Sequence, residues 1–208
     1  MTDKKNDNKG SSLPIMEMFY SIQGEGYYSG RPAVFIRLGG CDVGCHWCDV
    51  KESWEAQDHP QKSIDEIVHF VKEQGANFVV ITGGEPAMYD LTELTNELHK
   101  ENIFIALETS GVYSIKGQFD WICFSPKKFK APTDEVYHIA NELKVIVFNR
   151  SDLSWAEGHR QKVAENCKLY LQPEWSKKEE NTDLIIDYIK ANHNWNISLQ
   201  THKYIGVE

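Results

Sequence analysis

Three cysteines, Cys41, Cys45 and Cys48, fall in the run Cys-Asp-Val-Gly-Cys-His-Trp-Cys. This C-x3-C-x2-C spacing supplies three thiolates with no fourth cysteine nearby. Three thiolates can hold three irons of a 4Fe-4S cluster and leave the last iron open, whereas a cluster that only carries electrons normally has every iron capped by protein. An open iron is a place where a cofactor or substrate binds and reacts. Zinc is the competing ligand, and structural zinc takes four donors, usually in pairs of Cys or of Cys and His. His46 is the nearest fourth donor, but between Cys45 and Cys48 it would strain the wrapping of one tetrahedral ion. A disulfide framework does not suit five cysteines in a chain that opens without a secretory apolar stretch. The thiols are therefore expected to be reduced and the protein cytoplasmic.

Such a centre needs a scaffold that gathers polar groups around it. The chain has 208 residues, 41% hydrophobic and 25% charged, which predicts one domain with a real core. A net charge of -9 disfavours a nucleic-acid partner. No apolar run approaches the roughly 20 residues that cross a bilayer, so no membrane partner is expected. Met1–Ser12 is polar and is expected to be a disordered leader, with the single domain over residues 13–208.

Short apolar runs alternate with amphipathic stretches. Strands are expected at Ala33–Leu38, Phe78–Thr82, Ile103–Glu108, Trp121–Ser125, Leu143–Phe148, Lys168–Gln172 and Ile197–Gln200. They are near-continuous apolar runs, as in parallel strands covered on both faces. Helices are expected at Ile64–Glu73, capped by Ser63 with Glu66 three residues on, and at Leu91–Lys100 with Asp90 as cap. Leu153–Asn166 and Asn181–Asn192 are two more. The repeat predicts a parallel α/β fold. An eight-unit barrel usually needs about 250 residues, so an incomplete parallel (βα) barrel of about six units is expected, with an open doubly wound sheet as the alternative. Both place chemistry at the carboxyl ends of strands.

Polar clusters follow those ends. Thr82-Gly-Gly-Glu85-Pro lets a ligand approach the backbone at Gly84 and offers Glu85 to an ammonium group, although Gly and Pro also punctuate ordinary turns. Glu108-Thr-Ser-Gly offers a carboxylate and two hydroxyls for a ribose or an amino acid, or a simple turn. In Ser125-Pro126-Lys127, the lysine can neutralise a carboxylate while Ser125 donates a hydrogen bond, and Lys128 is expected to be solvated. Gln172 suits a base edge or sugar, His202 is a candidate ligand or a packing residue, and Trp47 can stack on adenine or shield the cluster. Cys123 and Cys167 sit in apolar contexts and are expected to be buried as small hydrophobes. Upstream, Gln23 and Glu25 lie on a glycine-flanked loop and can meet the edge of a pterin or purine, and Arg37 can grip a carboxylate with its planar fork.

In order along the chain stand Ser-Ile-Gln-Gly-Glu-Gly, Phe-Ile-Arg-Leu, the cysteine loop, Ile-Thr-Gly-Gly-Glu-Pro, Glu-Thr-Ser-Gly, Ser-Pro-Lys, Leu-Gln-Pro and Leu-Gln-Thr-His-Lys-Tyr. This order resembles the 7-carboxy-7-deazaguanine synthase family of radical S-adenosylmethionine enzymes, from about Glu17 to Tyr204. The resemblance implies ring contraction of 6-carboxy-5,6,7,8-tetrahydropterin, with loss of ammonia, in queuosine or deazapurine biosynthesis. It implies a 4Fe-4S cluster on Cys41, Cys45 and Cys48, S-adenosyl-L-methionine cleaved to a 5′-deoxyadenosyl radical, Mg2+, a flavodoxin-like electron donor and a homodimer. Ile22, Gln23, Gly24, Arg37 and Thr82 match substrate positions, with Glu25 in the same loop and His202 at the same end. Gly84 and Ser125 to Lys127 match cofactor positions. One position departs from the pattern: Val50 stands where such members carry a threonine whose hydroxyl ligates magnesium. The alternatives are magnesium resting on the substrate carboxylate and waters, magnesium recruiting Asp49, Lys51 as a stand-in charge, and an enzyme less dependent on magnesium. A glycyl-radical activating enzyme shares the cysteine loop and Gly-Gly-Glu-Pro but gives no reason for Gln-Gly-Glu-Gly or Arg37. A non-enzymatic zinc or electron-transfer module is the more distant alternative.

Overall fold

The apolar runs become the central strands of one sheet. The computed structural model describes residues 11–207. Their elements are β1 (Ser12–Ile22), β2 (Pro32–Leu38), β3 (Gln61–Ser63), α1 (Ile64–Glu73), β4 (Phe78–Gly83), α2 (Thr92–Lys100), β5 (Phe104–Thr109), β6 (Trp121–Phe124), α3 (Asp134–Ile139), β7 (Glu142–Val147), α4 (Ser151–Arg160), β8 (Lys168–Pro173), α5 (Lys178–Ala191), β9 (Trp195–Ile197) and α6 (Thr201–Ile205). The sheet order is β3-β1-β2-β4-β5-β6-β7-β8-β9. From β2 through β4 to β9 the strands pair in parallel, and β1 pairs antiparallel with β2 and β3. No ladder joins the two ends of the sheet among the described residues, so this is the incomplete barrel that the repeat length predicts.

Local chemistry accounts for the helix starts. Ser63 Oγ accepts the Glu66 N–H while Glu66 Oε2 accepts the Ser63 N–H at 2.8 Å, a reciprocal cap for α1. Asp90 Oδ1 accepts the Thr92 N–H at 3.1 Å, so α2 begins after Leu91 rather than at it.

Alternation along the strands builds two different interiors. One set of side chains, including Val79, Ile81, Ile105 and Leu107, packs outward on Ile67 and Val71 of α1 and Leu94 and Leu98 of α2. Leu143, Val145, Val147, Leu169 and Leu171 pack likewise on α3, α4 and α5. The opposite faces of β4 and β5 point into the barrel. There Phe78, Val80 and Ala106 join Ala33, Tyr28, Phe104 and Trp121 in an aromatic floor, with the Arg31 guanidinium 4.4 Å from the Phe78 ring centroid. Two residues further along the same strands the inward positions turn polar.

Four differences from expectation have local causes. β1 is an 11-residue strand that no continuous apolar run announces, because Pro14, Glu17 and Ser21 interrupt it. It starts at Ser12, inside the stretch expected to be a leader; the rest of that stretch, Met1–Gly10, lies outside the described residues. β9 covers Trp195–Ile197 only, because Ser198 and Gln200 leave the sheet to bond Gln172 and Glu25. α4 spans Ser151–Arg160, two residues earlier at its start and six shorter at its end than expected. Cys123 and Cys167 are buried free cysteines, as their apolar contexts predict. Among the described residues no helix is long and apolar enough to cross a membrane.

Candidate active site

The carboxyl ends of the parallel strands surround a cavity of about 450 Å³. Period-two side chains from the strands reach it: Val80 and Thr82 from β4, Glu108 from β5, Lys144 and Ile146 from β7, and Gln172 from β8. Every site residue expected from the sequence lines this cavity except Pro126 and Lys51.

The cysteine loop forms one wall. Cys41, Cys45 and Cys48 pack together with Val43, Val112 and Tyr113 in a small apolar cluster. The loop is fixed from beneath by Gly84, where a Cβ would lie 2.2 Å from the Gly40 carbonyl oxygen, so only glycine fits. The Glu85 N–H also donates to that oxygen at 2.8 Å. From outside, Asp42 accepts from the Tyr113 hydroxyl at 2.5 Å and the Lys130 ammonium at 2.7 Å, which holds its carboxyl below the usual range. Burial pushes the Cys45 thiol up to about 11 and raises that of Cys41.

Glu85 does not do what its motif suggested. It is 1% exposed, and its two oxygens accept from Ala87 N–H, Thr109 Oγ1, Ser110 N–H and Ser110 Oγ. A carboxylate has about four acceptor positions, so none is left for an ammonium group. Glu85 instead ties the end of β4 to the turn after β5, and the Thr109 and Ser110 hydroxyls donate to it. Glu85→Gln places an amide donor against donors and is expected to cost about 2–3 kcal/mol of stability, measured as a drop in the denaturant midpoint at unchanged slope. Gln172 is similarly committed. Its Oε1 accepts from Ser198 Oγ at 2.6 Å, and its amide supports Glu25, so it positions both neighbours while it lines the cavity. Lys128 is not merely solvated either: it pairs with Asp152, which is 4% exposed and accepts the N–H groups of Phe148 and Asn149.

Lys144 is the main residue that sequence reasoning missed. It is 4% exposed, and its ammonium lies 2.6 Å from Glu25 Oε2 and 2.9 Å from Glu108 Oε2. Burial works against this ammonium, but Cys123, Glu108, Glu25 and Glu142 around it keep its pKa well above the ordinary lysine value. Burial alone would raise the Glu25 carboxyl. The Lys144 charge, with hydrogen bonds from Lys144, Gln200 and Gln172, outweighs it and holds the pKa at about 2. Glu142 lies deeper, and burial raises its carboxyl. Its Oε2 accepts from Trp121 Nε1 and the Tyr27 N–H, while Oε1 has no hydrogen-bond partner among the described residues.

The segment after β9 closes the wall. Gln200 Nε2 donates to Glu25 Oε1 at 2.9 Å, and Lys203 Nζ donates to Gln200 Oε1 at 3.1 Å and Asp49 Oδ2 at 2.8 Å. Thr201 donates through N–H and Oγ1 to the Gly24 carbonyl, and the Gly26 N–H donates to Ser198 Oγ. A Cβ on Gly24 would fall 2.0 Å from His202 Nδ1, so glycine there admits the imidazole to the wall. Burial lowers the His202 pKa, against the pull of Glu25. Arg37 lies beside Thr82 in the β2–β4 ladder and is aimed by its cross-strand partner Glu17, whose Oε1 accepts from Nε at 2.6 Å. Lys127 sits at the cysteine end. Its ammonium donates to the Ser125 carbonyl and hydroxyl, lies 5.8 Å from the Trp47 ring centroid, and forms no ion pair among the described residues. Burial lowers its pKa.

Three comparisons with known proteins bear on this site. A family profile described as the Radical SAM superfamily matches residues 35–122. The 7-carboxy-7-deazaguanine synthase of Flavobacterium psychrophilum is 55% identical over 199 residues, covering 96% of this chain and 94% of the relative. Those of Synechocystis sp. and Escherichia coli K12 are 50% and 37% identical, covering 94% and 93% of this chain and 94% and 98% of theirs. The chain belongs to the 7-carboxy-7-deazaguanine synthase family. The crystal structure of QueE from Escherichia coli superposes with a TM-score of 0.81 at 33% identity, over 90% of this chain and 93% of that one. As a 7-carboxy-7-deazaguanine synthase family member, the chain is a radical S-adenosylmethionine enzyme, and the family implies a 4Fe-4S cluster and S-adenosylmethionine. The glycyl-radical activase and zinc-module alternatives are not favoured.

The residues fit that pair of groups. Three thiols sharing one small apolar cluster are the donor type that an iron–sulfur cluster takes, although among the described residues they are not drawn together into a metal-holding group, and the Lys127 ammonium, without an ion pair among the described residues, suits the carboxylate of an amino-acid cofactor. They do not fit magnesium in the same way. Magnesium takes oxygen ligands, Val50 in the cavity wall offers none from its side chain, and the Asp49 carboxylate is bonded to Lys203. Among the described residues no group of three or more His, Cys, Asp or Glu side chains is placed to hold a metal ion.

Proposed function

We propose that this chain contracts the ring of 6-carboxy-5,6,7,8-tetrahydropterin to 7-carboxy-7-deazaguanine, with loss of ammonia, in queuosine or deazapurine biosynthesis. The supporting observation is that the cysteine loop and the Arg37–His202 end line one and the same cavity. When bound, the cluster and S-adenosylmethionine would supply hydrogen-atom abstraction driven by one-electron cleavage of a sulfonium. Cys41, Cys45 and Cys48 would hold the cluster, and Lys127 with Ser125 would receive the cofactor's carboxylate. Ile22, Gln23 and Gly24 would bound the pterin, with Thr82 beside it and Arg37 turned by Glu17 toward its carboxylate. Glu25 stays ionised beside Lys144, and after its bonds with Lys144, Gln200 and Gln172 about one acceptor position is left for a pterin N–H. The protein's own part is positioning and exclusion of water, which suits chemistry carried by a cofactor. A flavodoxin-like donor, a homodimer and a cytoplasmic location belong to the same proposal, supported by the family resemblance. Magnesium is assigned no protein-held site.

Anaerobically reconstituted protein with reductant, S-adenosylmethionine and carboxytetrahydropterin should release carboxydeazaguanine; absence of that product with a fully loaded cluster would overturn the proposal. Arg37→Ala should raise KM for the pterin by about 10- to 100-fold, the loss of a charge-assisted pair. Iron content should be unchanged in that variant. Loss of iron instead would make Arg37 a folding residue.

A further inference from the structure

The misfit at Val50 has a counterpart beside it, bonded to the neighbouring Asp49. Lys203 lines the same wall, and its ammonium is immobilised by Asp49 Oδ2 at 2.8 Å and Gln200 Oε1 at 3.1 Å. It lies 4.9 Å from the Trp175 ring centroid, a cation–π contact that further fixes it. An ammonium has three donors, so one remains after those two bonds. Lys51 cannot serve this way, because it is exposed and lies outside the cavity lining.

We propose that the Lys203 ammonium, held by Asp49 and Gln200, is the counter-charge for the substrate carboxylate, in the role that a divalent cation would fill with an oxygen ligand at position 50. This rests on the pterin carboxylate named under the proposed function. The other charges at this end leave the position to Lys203. Glu25 is engaged by Lys144 and Gln200, and the Glu174 carboxylate is turned onto Ser176. Arg37 is the second cation, approaching from β2 rather than from α6. Both cations already pair with a carboxylate, Arg37 with Glu17 and Lys203 with Asp49, so what they offer the substrate carboxylate is directed hydrogen-bond donors in place of a metal ion's coordination.

The test is calorimetric binding of 6-carboxypterin, and of pterin lacking the carboxylate, to anaerobically reconstituted holoenzyme in EDTA and in Mg2+. Wild type should bind 6-carboxypterin equally in both buffers. Lys203→Met should lose about tenfold or more in affinity for 6-carboxypterin, unrescued by Mg2+, with pterin binding unchanged. Lys203→Arg should keep most of the affinity, and Val50→Thr should introduce a response to Mg2+. A wild type that binds 6-carboxypterin only with Mg2+, or a Lys203→Met variant that loses both pterins equally, overturns the proposal. If wild type binds neither pterin in either buffer, the pterin assignment itself fails.

Discussion

Replacement of Cys45 by alanine is expected to abolish iron loading and 5′-deoxyadenosine formation while the fold stays in place. Cys45 is buried against Val43 and Val112, so deleting one sulfur opens a small apolar void that costs roughly 1 kcal/mol. A domain of this size is stable by about 5–15 kcal/mol, so it survives that loss. The chemical loss is complete because no substitute is within reach. Cys123 is buried in β6 and Cys167 just before β8, neither in the cavity lining. Iron analysis, the visible spectrum and chromatography of the nucleoside product would be read beside a circular-dichroism melt. A variant that keeps its iron and its turnover would mean that the cluster is held elsewhere. A colourless wild-type protein rich in zinc would return the loop to a structural role.

Lys144→Met should give the largest loss of stability in the cavity wall. The substitution leaves Glu25 and Glu108 without their shared ammonium, with Glu142 and its unbonded Oε1 close behind. Removing one partner of a buried ion pair typically costs about 3–5 kcal/mol, because an uncompensated charge stays in low dielectric. For a domain of about 200 residues this lowers Tm by roughly 6–20 °C. The pH dependence should change sign as well. In the wild type the Glu25 pKa is depressed from 4.5 to about 2, so its contribution is full above about pH 4.5 and is lost as the pH falls toward 2. Without Lys144, burial raises that pKa, the ionised form destabilises the fold at neutral pH, and acidification from pH 7 to 5 should stabilise the variant. Melts at the two pH values suffice. Equal Tm values for variant and wild type, with the same slope against pH, would show that Lys144 does not neutralise these carboxylates.

Lys144 also shows where the sequence stops being legible. The strand run Leu-Lys-Val-Ile-Val reads as buried, and a lysine inside it belongs to the inward face, yet which carboxylates it meets depends on Glu25 and Glu108, far away in the chain. The cysteine loop, Arg37, Ser125 and Lys127 were legible because they follow strand ends, where a parallel sheet concentrates its chemistry. Glu85 and Gln172 both line the cavity, with bonds to protein groups that their motifs do not announce. Motif position shows which residues arrive at the site; only side-chain geometry reveals that Ala87, Thr109 and Ser110 fill the acceptor positions of Glu85 and that Ser198 takes one of Gln172. Among the strands, β1 was hidden because its partners, β2 and β3, supply the stability that its own interrupted pattern does not.

The loop between β1 and β2 meets the segment after the last strand, β9, through Gly24, Glu25 and Gly26 on one side and Ser198, Gln200 and Thr201 on the other. A fastening made of loop and side-chain bonds can part and reseal without unzipping any pair of strands, and free energies of local opening are lowest at such places. The same few contacts hold His202 and Lys203 in the wall. A tag or fusion partner attached behind α6 therefore pulls on the catalytic chamber itself, and its penalty would be felt in turnover before it was felt in folding.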